Sequence, residues 1–176
     1  HQSYNTYDSD ELMKLEKERL DELLPRQRLG GRQHFVRFAI PTTWRIQQQV
    51  GLWYDSTLYF AEQEGFRSGF CFPYHPYDPI HDTKLDLWEV SMTVMDGTLR
   101  DYHRCAPAEG LAAISSLLDT VKRYRGLFVI LWHSDFSFES PEWAGVYEQI
   151  LREAASSHVF AGSIEEILTW WQGRQL

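Results

Sequence analysis

Apolar positions along this chain recur at two periods, and the changes between them mark out the elements. Leu12, Leu15, Leu20 and Leu23 fall near helical spacing between Asp8 and Leu24. Asp8 with Glu11 has the capping-box pattern and Pro25 ends the segment, which predicts an amphipathic helix. Gly30-Gly31 reads as a turn. Residues 33–38 then alternate, with His34, Val36 and Phe38 on one side, as a strand does. Thr43 is placed to cap a short helix over Trp44 to Val50, closed by Gly51. "LWYDS" (52–56) reads as a strand running into Asp55, and "GFRSGFCFPY" (65–74) as a strand with glycine breaks. "HPYDPIHD" (75–82) is a polar loop, and "KLDLWEVSMTVMD" (84–96) is strand-like up to Asp96-Gly97.

The second half is more regular. Ala108 to Arg125 carries the stripe Leu111, Ile114, Leu118 and Val121, with Pro107 at its start and Gly126 after its end. "LFVILW" (127–132) is apolar on both faces, as a parallel strand covered on both sides must be. Ser140-Pro141 opens a helix with Trp143, Val146, Tyr147, Ile150 and Leu151 as its stripe. "HVFAG" (158–162) reads as a short strand. Ser163 with Glu166 forms a second capping box, and the last helix runs to about Trp171, with Trp170-Trp171 expected to pack it down.

Strands alternate with helices nearly throughout, so the expectation is an α/β fold with parallel strands. About five or six strands are predicted, short of a closed barrel. His133, Asp55 and Asp96 fall at or just after strand C-termini, the rim where α/β barrels build their sites.

Composition narrows the function classes. The 176 residues suit a single domain, 43 % are apolar, and aromatics reach 15 %. The net charge of −8 repels phosphate backbones, so nucleic acid is not an expected partner. The apolar run Leu127 to Trp132 is too short to span a bilayer, and no membrane association is expected. Cys71 and Cys105 are too few for a disulfide framework and too far apart for a metal knuckle, which favours a reducing, cytoplasmic setting.

Several stretches, in order, resemble the polysaccharide deacetylases, the NodB-like carbohydrate esterases, and more narrowly an uncharacterised bacterial branch of them. "HQSYN" (1–5) resembles the metal motif, in which a histidine is followed by Ser or Thr and then by a second histidine. "GRQHFVRF" (31–38) resembles the arginine-bearing motif. "GLWYDSTLYFAEQEGFRSGFCFPY" (51–74) resembles the most distinctive block of the branch. "VMDGTL" (94–99) and the late "LWH" (131–133) follow in the same order. The resemblance implies an incomplete NodB-like (β/α) barrel, of which residues 1–176 would be the C-terminal two thirds. It implies a hydrolase of carbon–nitrogen bonds that deacetylates N-acetylated sugars with a divalent metal, zinc as a rule.

Residue by residue, His133 would be the general acid and Arg32 would orient the base carboxylate. His1 would be a metal ligand, and His34 would replace the ligand missing where Asn5 stands. Asp96 and Asp55 would orient His133 or hold substrate, and Arg67 would bind a sugar hydroxyl or a phosphate. Each has an ordinary alternative. His133 would be a hydrogen-bonded strand-end histidine, His1 a plain terminal residue, and His34 a capped histidine. Arg32 would be a surface ion pair and Arg67 a buried one with Asp55 or Asp96. Asp55 and Asp96 would be cap and turn residues. The family's base and one aspartate ligand would precede His1, so this chain alone is expected to be inactive. Asn5 favours a second reading, a non-catalytic carbohydrate-binding or assembly protein that has lost the metal. An uncovered barrel edge would pair, giving a homodimer, unless the N-terminal helix covers it.

Overall fold

The computed structural model describes residues 1–24, 28–134, 140–157 and 159–174. The architecture is mixed α/β, with helices and very short, mostly parallel strands. Among the described residues the strands form three separate small sheets and no closed barrel. The chain divides into two compact units, His1–Phe60 with Phe66–Met92, and Ala61–Gly65 with Thr93–Leu176.

The first unit opens with α1 (Asp10–Leu23). Its cap is Ser9, whose Oγ accepts from Leu12 N at 3.3 Å, and not the expected Asp8. Its buried contact is Met13, while Leu12, Leu15 and Leu23 of the expected stripe are exposed. Pro25, expected to end the helix, lies outside the described residues. Gly30-Gly31 is not a turn but strand β1 (Gly30–Gly31), parallel to β2 (Tyr54–Asp55). The Tyr54 ring lies where a Cβ on Gly30 would be, 2.0 Å from Cζ, so only glycine lets this pair close. β2 pairs in turn with β5 (Trp88–Glu89), also in parallel.

Residues 33–38 do not form the expected strand. His34–Val36 is a single 3-10 turn, with Phe35 and Val36 at φ 56° and 48°. Gln33 is drawn inward, where Thr6 Oγ1 donates to its Oε1 at 2.8 Å and its own N–H donates to Thr57 Oγ1 at 2.9 Å. That anchor turns the chain away from the sheet. Helix α2 (Thr42–Gln49) buries Thr43, Trp44, Ile46 and Gln47. Trp44 packs with Leu52, Leu58, Leu85 and Leu87. The expected strand over 65–74 is a set of turns instead, because Gly65 and Gly69 take φ 119° and 82°. Only Tyr74 pairs, antiparallel to Glu89. The loop 75–82 contributes to a hairpin of β3 (Tyr77–Asp78) and β4 (Thr83–Lys84).

The second unit holds β6 (Val94–Met95) and β7 (Ile130–Leu131), parallel, with Val94 opposite Ile130 and Met95 opposite Leu131. Residues 127–132 are half-buried, not covered on both sides, because their only strand neighbour among the described residues is β6. Helix α3 (Pro107–Tyr124) starts on a proline, which needs no hydrogen bond at that position, and Glu109 Oε2 accepts from Ala106 N at 2.8 Å. It packs on α4 (Pro141–Ser156), where a Cβ on Gly110 would stand 2.9 Å from the Trp143 ring. The core joins Val94, Leu99, Ile114, Trp143, Val146 and Ile150, large side chains each worth about 1.5–3 kcal/mol when fully buried. Residues 159–162 are not a strand, and His158 lies outside the described residues. Helix α5 (Ile164–Gly173) has the expected cap, with Ser163 Oγ accepting from Glu166 N and Glu166 Oε2 accepting from Ser163 N. Its buried residue is Leu168. Trp170 is exposed, stacked on Phe160, and does not pack the helix down as expected. No described helix is long and apolar enough to cross a membrane.

Candidate active site

The parallel pairing of β6 with β7 brings two chain-distant residues to neighbouring strand ends. Asp96 follows Met95 directly and His133 lies two residues after Leu131. His133 Nδ1 is 2.6 Å from Asp96 Oδ1, and the backbone N–H of His133 donates to Asp96 Oδ2 at 3.0 Å. The N–H of Gly97 donates to Oδ1 at 2.9 Å. The Asp96 side chain is fully buried, while that of His133 is 44 % exposed. A buried carboxylate thus fixes one ring nitrogen of a solvent-accessible imidazole. That arrangement sets the tautomer with Nδ1–H and leaves Nε2 for proton exchange.

The chain after Asp96 winds into a π-helical turn, Thr98–Tyr102, closed by His103 N donating to Thr98 O at 3.0 Å. Such turns recur at functional sites. This one places Asp101 near the dyad. Arg100 grips the Asp101 carboxylate at 2.9 and 3.1 Å and holds it below the usual carboxylate range, with His133 adding to the effect.

The first unit contains a separate polar cluster. Asp55 and Glu89 are register partners on β2 and β5, and neither has exposed surface. Asp55 accepts from Gln47 Nε2, from Thr57 Oγ1 and from Thr57 N. Glu89 accepts from Trp44 Nε1 at 2.7 Å and from Ser91 Oγ at 3.0 Å. Burial pushes both carboxyls upward, and the charge of Asp55 raises Glu89 further. Tyr74 is raised by burial and then by the charge of Glu89. Arg32 donates through Nε to Ser56 O at 2.8 Å and through Nη2 to Ser56 Oγ at 2.9 Å. Burial lowers its guanidinium pKa, and the charges of Asp55, Tyr54 and Glu89 oppose that. Arg32 is therefore not the surface ion pair of its ordinary alternative. It does not share a strand with His34 either.

Of the expected metal ligands, His1 and His34 do meet, with ring centroids 5.0 Å apart and edge to face. Asn5 does not turn toward them as a donor for metal. Its Oδ1 accepts from Arg37 Nη1 at 3.3 Å, and that guanidinium lies over Tyr4 and Tyr7. A catalytic zinc takes three protein ligands, and among the described residues no group of three His, Cys, Asp or Glu side chains is placed to hold a metal ion. Arg67 donates to Tyr59 O at 2.8 Å and lies 4.8 Å over the Phe60 ring. It belongs to the first unit, His133 to the second.

Glu89, Tyr74 and Asp101 escape the sequence reading. Glu89 had a signal, an acid enclosed by Leu87, Trp88 and Val90. Asp101 had none, since the π turn that carries it has no sequence mark. Family models, curated proteins and solved structures were each compared with this chain, and none matches.

Proposed function

We propose that this chain carries the proton-transfer machinery of a hydrolase that cleaves a carbon–nitrogen bond, the N-acetyl group of an amino sugar, on part of a NodB-like barrel. The observation that supports this reading is the buried Asp96 carboxylate 2.6 Å from Nδ1 of the exposed His133. Water adds its oxygen to the acetyl carbon and yields a proton to Nε2 of His133, which passes that proton to the nitrogen as the carbon–nitrogen bond breaks. The products are acetate and a free amine. A general acid of this kind contributes roughly 10²–10⁴-fold.

The divalent-metal part of the reading rests on His1 and His34, two ligands where three are needed. The proton transfer at His133 stands without it and without a base ahead of His1, so, against the expectation from the resemblance, this chain alone should release acetate. The occupancy of Asn5 by Arg37 favours the second reading, a carbohydrate-binding or assembly protein without chemistry. A homodimer through an uncovered sheet edge completes the proposal, and light scattering tests it.

The experiment is acetate release from an N-acetylglucosamine oligomer, with calorimetric binding of the same oligomer in parallel. Release that His133→Ala abolishes supports the hydrolase. Binding without release supports the second reading. Neither binding nor release rejects both.

A further inference from the structure

Unit one buries a pair of acids that the reaction at His133 does not use. Asp55 and Glu89 sit opposite one another on β2 and β5, both without exposed surface. Two ionised carboxylates placed opposite one another away from water repel, and one proton between them lets them hydrogen-bond instead. The charges nearby agree. Arg32 is the guanidinium whose charge both acids feel. One proton on the pair leaves a single negative charge against that single positive one.

We propose that Asp55 and Glu89 share one proton in the folded chain, and that its loss as pH rises releases the β1–β2–β5 sheet, making the pair a pH-sensitive latch. The remaining polar partners suit either acid form. Gln47 and Thr57 donate to Asp55, and Trp44 and Ser91 donate to Glu89. The ionisable groups that face the pair are Arg32, Tyr54 and Tyr74, with Arg67 reaching it through Tyr74. None of these supplies a second buried positive charge for a second carboxylate. Ser91 is half-buried and its Oγ donates to Glu89 at 3.0 Å, so it connects the pair to solvent.

Burial raises both acids, so the folded chain binds a proton that the unfolded chain releases. The stability this supplies is full below the unfolded carboxylate range, about pH 4.3 for Glu, and is lost as pH rises through the folded pair's own value. The place of the latch explains its leverage. Glu89 is the meeting point of Asp55, in parallel on one side, and Tyr74, antiparallel on the other.

The test is the melting temperature of the full chain between about pH 5 and about pH 10, for wild type, Glu89→Gln and Tyr74→Phe. The latch predicts a fall with rising pH in wild type, the same fall in Tyr74→Phe, and its loss in Glu89→Gln. A Glu89→Gln curve parallel to wild type overturns it, as does loss of the fall in Tyr74→Phe. Infrared spectra of the wild-type chain with ¹³C-labelled Asp and Glu keep the test open should Glu89→Gln not fold. A label-sensitive carbonyl stretch of a protonated acid at neutral pH is expected, and its absence overturns the proposal.

Discussion

His133 is tied to Asp96 twice, through its ring at 2.6 Å and through its own backbone N–H at 3.0 Å. The second tie matters as much as the first. It fixes the strand end that carries the imidazole, so ring and backbone are positioned by one buried carboxylate. Gly97 N and His133 N both donate to the Asp96 carboxyl, and the ring Nδ1 of His133 is its third neighbour.

Asp96→Asn should preserve the shape of the site and upset the ring. An amide can present N–H to Nδ1 and stabilise the other tautomer. Acetate release should fall by about 10²–10⁴-fold, while binding of the sugar oligomer, measured by calorimetry, should change little.

Trp44→Phe removes the indole N–H that donates to Glu89 Oε2 at 2.7 Å and keeps most of the ring in the Leu52, Leu58, Leu85 and Leu87 cluster. A buried acceptor left without its donor costs about 1–3 kcal/mol. Urea unfolding should show a loss in that range.

Gly30→Ala places a methyl group 2.0 to 2.3 Å from Tyr54 ring atoms. The ring must swing away, or β1 must part from β2. Overpacking of this kind costs about 1–3 kcal/mol, and Gly30→Ala with Tyr54→Ala should recover part of it in the same urea assay.

Ser163→Ala breaks the reciprocal cap in which Ser163 and Glu166 satisfy each other's backbone N–H. The expected loss is about 1 kcal/mol, seen as early fraying of Ile164–Gly173 in amide hydrogen exchange.

The helices of the second unit were legible in the sequence because their signals are local. Pro107, the stripe through Ile114 and Leu118, Ser140-Pro141 and the Ser163–Glu166 box all act within a few residues. The strands were not legible to the same degree. Most are two residues long, too short for alternation to identify, and their partners lie tens of residues away. The run 33–38 alternates as a strand does, yet Gln33 turns inward to Thr6 and the run becomes a 3-10 turn. Gly30-Gly31 has turn composition, and a tyrosine ring from another strand makes it a strand. Asp96 and His133 could both be singled out, since each ends an apolar run. Glu89 stands among the apolar residues Leu87, Trp88 and Val90, and only the pairing of β5 with β2 reveals it as the partner of Asp55.

The most direct measurement is the ¹⁵N NMR tautomer state of the neutral His133 ring. In wild type Nδ1 should carry the proton and Nε2 should be bare, with the proton moving toward Nε2 in Asp96→Asn. A wild-type ring protonated on Nε2 would contradict it, because Asp96 would then not be orienting the histidine for proton transfer.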